Sequence, residues 1–145
     1  MAPFGKKKRL TDYAACAHGA TDITGFGLLG HAAELAEASG VIVEIEAEAV
    51  PLLDGALDLS ERGFVTRALS TNEAYLEDRL EKSGGYGQAR YNLLVDAQTS
   101  GGLLIALEES ALESFSQAFG KSTGPDRWER IGRVLDKGAA LLRLV

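Results

Sequence analysis

The residues best suited to chemistry lie in one stretch, residues 20–31, which reads A-T-D-I-T-G-F-G-L-L-G-H. Its carboxylate, Asp22, comes just before a glycine-rich turn, and Gly25 and Gly27 lead from that turn into a predicted helix. Glycines this close together indicate a backbone that turns sharply or approaches another group closely. The first N–H groups of a helix lack internal partners, so such a turn could hold an anion. Asp22 itself could be a turn or N-cap residue, or a ligand for a hard cation such as Mg²⁺.

Residues 25–30 also match the G-x-G-x-x-G pattern of dinucleotide-binding folds. In those folds a buried strand comes immediately before the first glycine, and an acidic residue further along binds the ribose. Glu44 and Glu46 stand near the required distance. Residues 18–24, however, are too polar and too interrupted by glycine to predict a buried parallel strand. A dinucleotide-binding oxidoreductase domain is therefore the less favoured alternative.

A second unusual loop covers residues 96–102, which read D-A-Q-T-S-G-G. Thr99 and Ser100 supply hydroxyl groups, and Gly101 adds backbone freedom. The pattern fits a tight turn into a strand, and it also fits the lining of a phosphate or nucleotide pocket; its spacing leaves both open. His31 is expected to be a helix-surface or capping residue, and no Ser–His–Asp or Cys–His arrangement is evident from the spacing.

Composition and charge narrow the function classes. The 145 residues are 46% hydrophobic and 25% charged, which is typical of one globular domain. A net charge of −6 argues against a nucleic-acid-binding surface, although residues 6–9 form a basic cluster. No apolar run approaches the roughly 20 residues that span a bilayer. The single cysteine, Cys16, excludes an internal disulfide and fits a reducing, cytoplasmic setting, where we expect it to be a small buried residue.

The elements that must position these loops follow from periodicity. Apolar spacing after the glycine motif predicts a helix that ends at Gly40, followed by a strand over residues 41–46 whose outer face is partly covered. Further elements are predicted as a helix over 11–17, a helix opened by Pro51, a strand over 103–107, a helix that starts with a capping box at 110–113 and stops at Gly120, and a hairpin of strands 128–135 and 139–145. Helices and strands do not alternate strictly, so we predict an α+β fold with a mixed sheet packed against helices.

Both loops together resemble one known family. Residues 20–31 resemble the start of the C-terminal domain of selenophosphate synthetase (selenide, water dikinase), and residues 96–104 resemble that domain's D-P-Q-T-S-G-G-L-L signature. Residues 50–56, Asn72 and residues 131–134 fit the same order. The wider group comprises the aminoimidazole-ribonucleotide synthetase-like enzymes. The resemblance covers residues 20–145, so we expect residues 1–19 to be a tail with a short helical segment.

The resemblance implies an α+β domain from an enzyme that uses ATP and Mg²⁺ to phosphorylate selenide. Asp22 matches the family's magnesium ligand. Thr24, Gly25 and Gly27 would shape the adjacent backbone, and the signature loop adds further candidate cofactor-binding residues, namely Thr99, Ser100 and Gly101. No catalytic residue is assigned in this chain.

The resemblance also implies partners. The family's N-terminal ATP-binding domain carries the reactive cysteine or selenocysteine, the lysine and most metal carboxylates, and it is absent from this sequence. We therefore expect the chain to be inactive alone, to partner that N-terminal domain, and to form a homo-oligomer, without binding nucleic acid or membrane. Ala97 replaces the family's proline, a change at a turn residue. The alternative is a non-catalytic module that binds a nucleotide or a partner.

Overall fold

The computed structural model describes residues 16–119 and 128–145. The chain divides into two compact units, one of Met1–Gly19 with Ile105–Trp128 and one of Ala20–Leu104 with Glu129–Val145. Most of the helix predicted over residues 11–17 lies outside the described residues, as does Gly120. No helix in the described part of the chain has the length and apolar character needed to cross a bilayer.

Five α-helices, one 3₁₀ helix (Ala47–Ala49) and six strands are described. The helices are α1 (Gly27–Ser39), α2 (Ala56–Glu61), α3 (Ala68–Leu76), α4 (Gln88–Val95) and α5 (Glu109–Phe119). The strands are β1 (Ala17–Asp22), β2 (Ile42–Ile45), β3 (Leu80–Lys82), β4 (Leu103–Leu107), β5 (Gly132–Leu135) and β6 (Leu142–Leu144).

The larger unit is built on a mixed four-stranded sheet in the order β3-β6-β2-β5. Strand β2 pairs parallel with β6 and antiparallel with β5, and β3 pairs parallel with β6. Helix α1 packs against β2 and β6 and also against α3 and α4. Its fully buried Leu29 joins Ile45 and Leu142 in one apolar core. The predicted α+β fold with a mixed sheet is confirmed.

Helix α1 ends as the sequence predicts. Gly40 takes the left-handed conformation (φ 66°), and its N–H donates to the carbonyls of Ala36 and Glu37. Glycine is favoured at this position because a Cβ is unfavourable there. The chain then enters β2 directly, which fixes the strand against the helix that precedes it.

The face of the sheet opposite the core carries a row of charges. Successive strand residues point to opposite faces, so Glu44 lies on the side away from Val43 and Ile45. Glu44 is only 5% exposed, and its carboxylate accepts from Arg133 Nε at 2.6 Å and Arg143 Nη1 at 3.4 Å. We call Glu81, Arg143, Glu44 and Arg133 the charge row; they are aligned across all four strands. The expected partial covering of this face of β2 is confirmed.

Three local predictions are wrong. β5 and β6 do not form a hairpin, because β2 lies between them and supplies the partners of both. The second helix begins at Ala56 after Gly55, whose positive φ of 76° turns the chain, and not at Pro51. Ser110 lies inside α5 and donates to Glu108, so it makes no capping box.

A two-stranded sheet joins β1 and β4. Residues 17–22 therefore form a strand where the sequence suggested an interrupted segment, although alternate residues of β1 are exposed. β4 is a strand as predicted, but it begins at an exposed residue and is only half-buried beyond it. The loops at the ends of these strands in the larger unit carry both sequence motifs.

The smaller unit is organised around α5. Phe115 is buried, and its ring lies 4.6 Å from that of Phe119 and 5.5 Å, edge-on, from that of Trp128. Cys16, half-buried with a free thiol, accepts a backbone hydrogen bond from Glu108. The aromatic side chains are therefore the main described core of this unit.

Candidate functional site

The two motifs lie side by side and are joined by their backbones. Ile23 N–H donates to Gly102 O at 2.9 Å, and Gly101 N–H donates back to Ile23 O at 3.0 Å. Gln98 N–H donates to Thr24 O, also at 3.0 Å. We call residues 22–27 and 95–102 the paired loops. Segments more than 70 positions apart in sequence thus form one continuous hydrogen-bonded unit.

Gly27 is required by this close approach. Its φ is 66°, and a Cβ at this position would collide with Val95 O and stand 2.7 Å from Asp96 O. Its N–H donates to Thr24 O at 3.0 Å, which closes the turn that starts α1. Gly27 therefore serves a tight turn packed on the second loop.

Asn72 on α3 fastens the paired loops from inside. It is 3% exposed, and its side-chain Nδ2 donates to Gly25 O and to Val95 O, each at 3.0 Å. Apart from its place in the family resemblance, sequence reasoning gave Asn72 no role. The signal was present, because Leu69, Asn72 and Leu76 share the apolar stripe of α3, and a polar residue on such a stripe needs a buried partner.

Asp96 is buried and fully engaged. Its carboxylate accepts from Thr66 N–H at 2.8 Å, Thr66 Oγ1 at 2.6 Å and Ala97 N–H at 2.9 Å. Sequence reasoning treated this residue only as part of the signature loop. All three donors are neutral, so the negative charge is stabilised without a cation. Asp96 therefore holds the second loop in place.

The predicted site residues are divided between surface and interior. Asp22, Gly25, Thr99, Ser100 and Gly101 are exposed. Thr24 is half-buried, and Gly27 is buried. The structure brings all of them together on the paired loops.

Thr24 is the predicted site residue with a side-chain contact of its own. Its Oγ1 lies 3.0 Å from His31 Nε2, and His31 Nδ1 lies 3.1 Å from Glu34 Oε2. The His31 ring also meets Phe26 edge-on, with ring centroids 5.7 Å apart. His31 is thus neither a simple surface residue nor a cap, and the hydroxyl–imidazole–carboxylate chain was not evident from sequence spacing.

Asp22 differs from Asp96, the other acidic residue of the paired loops. Its main-chain oxygen accepts from Thr21 Oγ1, whereas its exposed carboxylate has no hydrogen-bond or ion-pair partner among the described residues. No group of three or more His, Cys, Asp and Glu side chains suited to a metal ion occurs in residues 16–119 and 128–145. Mg²⁺ is bound through one or two carboxylates together with waters and substrate phosphates. The free, exposed carboxylate of Asp22 has the chemistry of one such ligand.

Comparison with known proteins identifies a family model and several relatives that this chain resembles. The family model described as AIR synthase related protein, C-terminal domain, matches residues 6–143. A selenide, water dikinase of Clostridium botulinum (strain Eklund 17B / Type B) is 40% identical over 121 residues, which are 83% of this chain and 34% of that protein. One from Geobacter metallireducens is 46% identical over 95 residues, 66% of this chain and 27% of that protein.

A solved structure shows the same fold. E. coli HypE, a hydrogenase maturation protein, superposes with a TM-score of 0.54 at 23% identity, covering 93% of this chain and 33% of that one. This chain spans about a third of the length of the curated relatives that it matches. On the match over residues 6–143, the chain belongs to the family of AIR synthase related proteins, C-terminal domain.

Proposed function

We propose that this chain is the C-terminal domain of a selenophosphate synthetase. Joined to an N-terminal ATP-binding domain, it would contribute to the ATP- and Mg²⁺-dependent phosphorylation of selenide to selenophosphate, with AMP and phosphate as the other products. The observation that carries the proposal is the backbone pairing of the two motifs, which unites the exposed Asp22 with the exposed hydroxyl residues of the second loop. Similarity to the selenide, water dikinases supports it.

Phosphoryl transfer depends chiefly on neutralising charge and holding the reacting groups in place. In the proposal Asp22 supplies one carboxylate to Mg²⁺, and further ligands come from the N-terminal domain and the phosphates. Thr99 and Ser100 can donate hydrogen bonds to phosphate oxygens, since neither hydroxyl has another partner among the described residues. Thr24, Gly25, Gly27 and Gly101 would set the backbone that carries these groups.

The same proposal makes the chain inactive alone. One free carboxylate cannot complete a magnesium site, and no catalytic residue is assigned in this chain. An exposed apolar segment supports contact with a partner: Leu53, Leu59 and Phe64 are all exposed. We assign that contact to the N-terminal domain. Alternatively, a second copy of this chain covers the segment in a homo-oligomer. Light scattering at several protein concentrations distinguishes the two cases.

The test is reconstitution from two pieces. The N-terminal part of the Clostridium botulinum relative, ending where the matched region begins, is purified and mixed with this chain in the presence of ATP, Mg²⁺ and selenide. We expect selenide-dependent formation of AMP only when both pieces are present. Turnover by this chain alone would contradict its proposed dependence on the N-terminal domain. An inactive mixture in which this chain still binds ATP by calorimetry would favour the non-catalytic module.

A further inference from the structure

The chain Thr24–His31–Glu34 has the connectivity of a hydroxyl held by an oriented imidazole. His31 and Glu34 are three residues apart on α1, which puts them on one helix face. Thr24 lies before the helix, and the turn at Gly27 brings its side chain back to His31. The imidazole is 11% exposed and packs edge-on against Phe26, so its orientation is fixed.

The partners of the ring decide where the protons lie. An ionised Glu34 carboxylate can only accept, so Nδ1 of His31 must carry a proton. In the neutral ring Nε2 is then an acceptor, and the Thr24 hydroxyl must donate to it. A hydroxyl whose one hydrogen atom is engaged in a hydrogen bond has only lone pairs left for other partners. Thr24 can therefore accept from a ligand but cannot donate to a phosphate oxygen.

We infer that His31 and Glu34 are positioning residues that hold the Thr24 hydroxyl proton inward, so that Thr24 Oγ1 serves as an oxygen ligand for the cation bound by Asp22. The inference rests on the proposed function for the presence of that cation. Oxygen ligands are those that Mg²⁺ prefers, and partners that orient a ligand typically contribute to metal affinity. Thr24 thereby changes from a backbone-shaping residue to a member of the metal site.

The first test reads the proton directly. In a His18→Gln background His31 is the only histidine, so its ring nitrogens are assigned without ambiguity. Long-range ¹H–¹⁵N spectra of the whole chain at pH 8.5 should show the Nδ1–H tautomer of this ring. Glu34→Ala should move the ring towards Nε2–H, the form that free histidine favours. An Nε2–H ring in the parent chain would overturn the inference.

The second test uses Mn²⁺ as a paramagnetic probe of the same chain. Broadening of the amide signals of residues 22–25 at millimolar Mn²⁺ should disappear in Asp22→Asn. It should require about tenfold more Mn²⁺ in Thr24→Val, His31→Ala and Glu34→Ala, the size expected when a ligand or its orienting partner is removed. Glu34 is half-exposed, so Glu34→Ala remains informative even if a substitution at the more buried Thr24 or His31 disturbs folding.

Two controls give the contrast. Thr24→Ser keeps the hydroxyl, and Glu37→Gln changes an exposed carboxylate on α1. In both variants the amide signals of residues 22–25 should broaden at the same Mn²⁺ concentrations as in the parent chain. Absence of Mn²⁺ broadening in the parent, or unchanged Mn²⁺ dependence in Glu34→Ala, would overturn the inference. Neither test measures turnover, so failure of the reconstituted activity would remove the proposed function without producing either result.

Discussion

The paired loops and the charge row each bury a carboxylate, and they stabilise it in opposite ways. Glu44 in the charge row is neutralised by the guanidinium groups of Arg133 and Arg143. Asp96 in the paired loops is held by three neutral donors, two of them from Thr66. In the described part of the chain no lysine or arginine forms an ion pair with Asp96 or with Asp22.

The comparison shows which of the two regions has negative charge left to attract a ligand. The charge row pairs each carboxylate with an arginine, so it can serve the sheet but has little attraction left for a ligand. The paired loops keep two negative charges without a bonded cation, one buried and one exposed. Of the two carboxylates only the exposed Asp22 has no hydrogen-bond or ion-pair partner among the described residues, so it is the one open to an added cation. Substitutions in the two regions should therefore have different consequences.

The largest loss of stability should come from Gly27→Ala. The new Cβ would meet the main-chain oxygens of Val95 and Asp96, and the left-handed backbone adds strain. We expect the free energy of unfolding to fall by about 3–5 kcal/mol, measured by urea denaturation. Gly40→Ala is the matched control, since Gly40 has the same φ of 66° but open space around it, and it should cost only about 1–2 kcal/mol. Equal losses of stability in the two variants would mean that the paired loops can move apart at Gly27 without an energetic cost.

Asn72→Ala should be next. It leaves the carbonyls of Gly25 and Val95 without their buried donor, which should cost about 2–4 kcal/mol in the same denaturation experiment. Asn92→Ala is the control, because Asn92 is half-buried and its amide oxygen only accepts from Gln88 on the surface. That variant should change the unfolding free energy by about 0.5 kcal/mol or less. A neutral Asn72→Ala would show that the loops pair without it.

The charge row should give a smaller effect that depends on pH. Hydrogen bonding from Arg133, with a further contribution from Arg143, holds the pKa of Glu44 below its ordinary value of 4.5. Its stabilisation is therefore complete above pH 4.5 and is lost as the pH falls through the lowered pKa. Glu44→Gln should cost about 1–2 kcal/mol at pH 7, moderated because Arg133 is largely exposed, and should flatten the acid decline. An acid decline as steep as that of the parent would contradict this account.

Local elements could be predicted from the sequence, whereas the contacts between distant segments could not. The helix that ends at Gly40 and the covered strand after it follow from periodicity and one left-handed glycine. The hairpin prediction failed because β5 and β6 are neighbours in sequence, while the partner that separates them, β2, lies nearly 90 residues earlier. Local pattern carries no information about such an insertion.

The candidate site shows the same division. The two motifs could be recognised by their glycines and polar residues. No local sequence pattern, however, indicated that Ile23 and Gly101 are joined by a backbone hydrogen bond. Asn72 could have been noticed as a polar residue on an apolar stripe. The contact of Thr24 with His31 could not be predicted, because the two residues are seven positions apart along a turn and a helix. The turn at Gly27 brings them together.

Asp22→Asn should have the smallest effect on stability and the most direct bearing on the central claim, that Asp22 is reserved for a ligand while its neighbours hold the fold. Two quantities are measured on one sample: the free energy of unfolding of the chain, and selenide-dependent AMP formation after mixing with the N-terminal piece. We predict a stability change within about 0.5 kcal/mol and a loss of activity of about a hundredfold or more. Retained activity, or a loss of stability comparable to that of Asn72→Ala, would contradict the account.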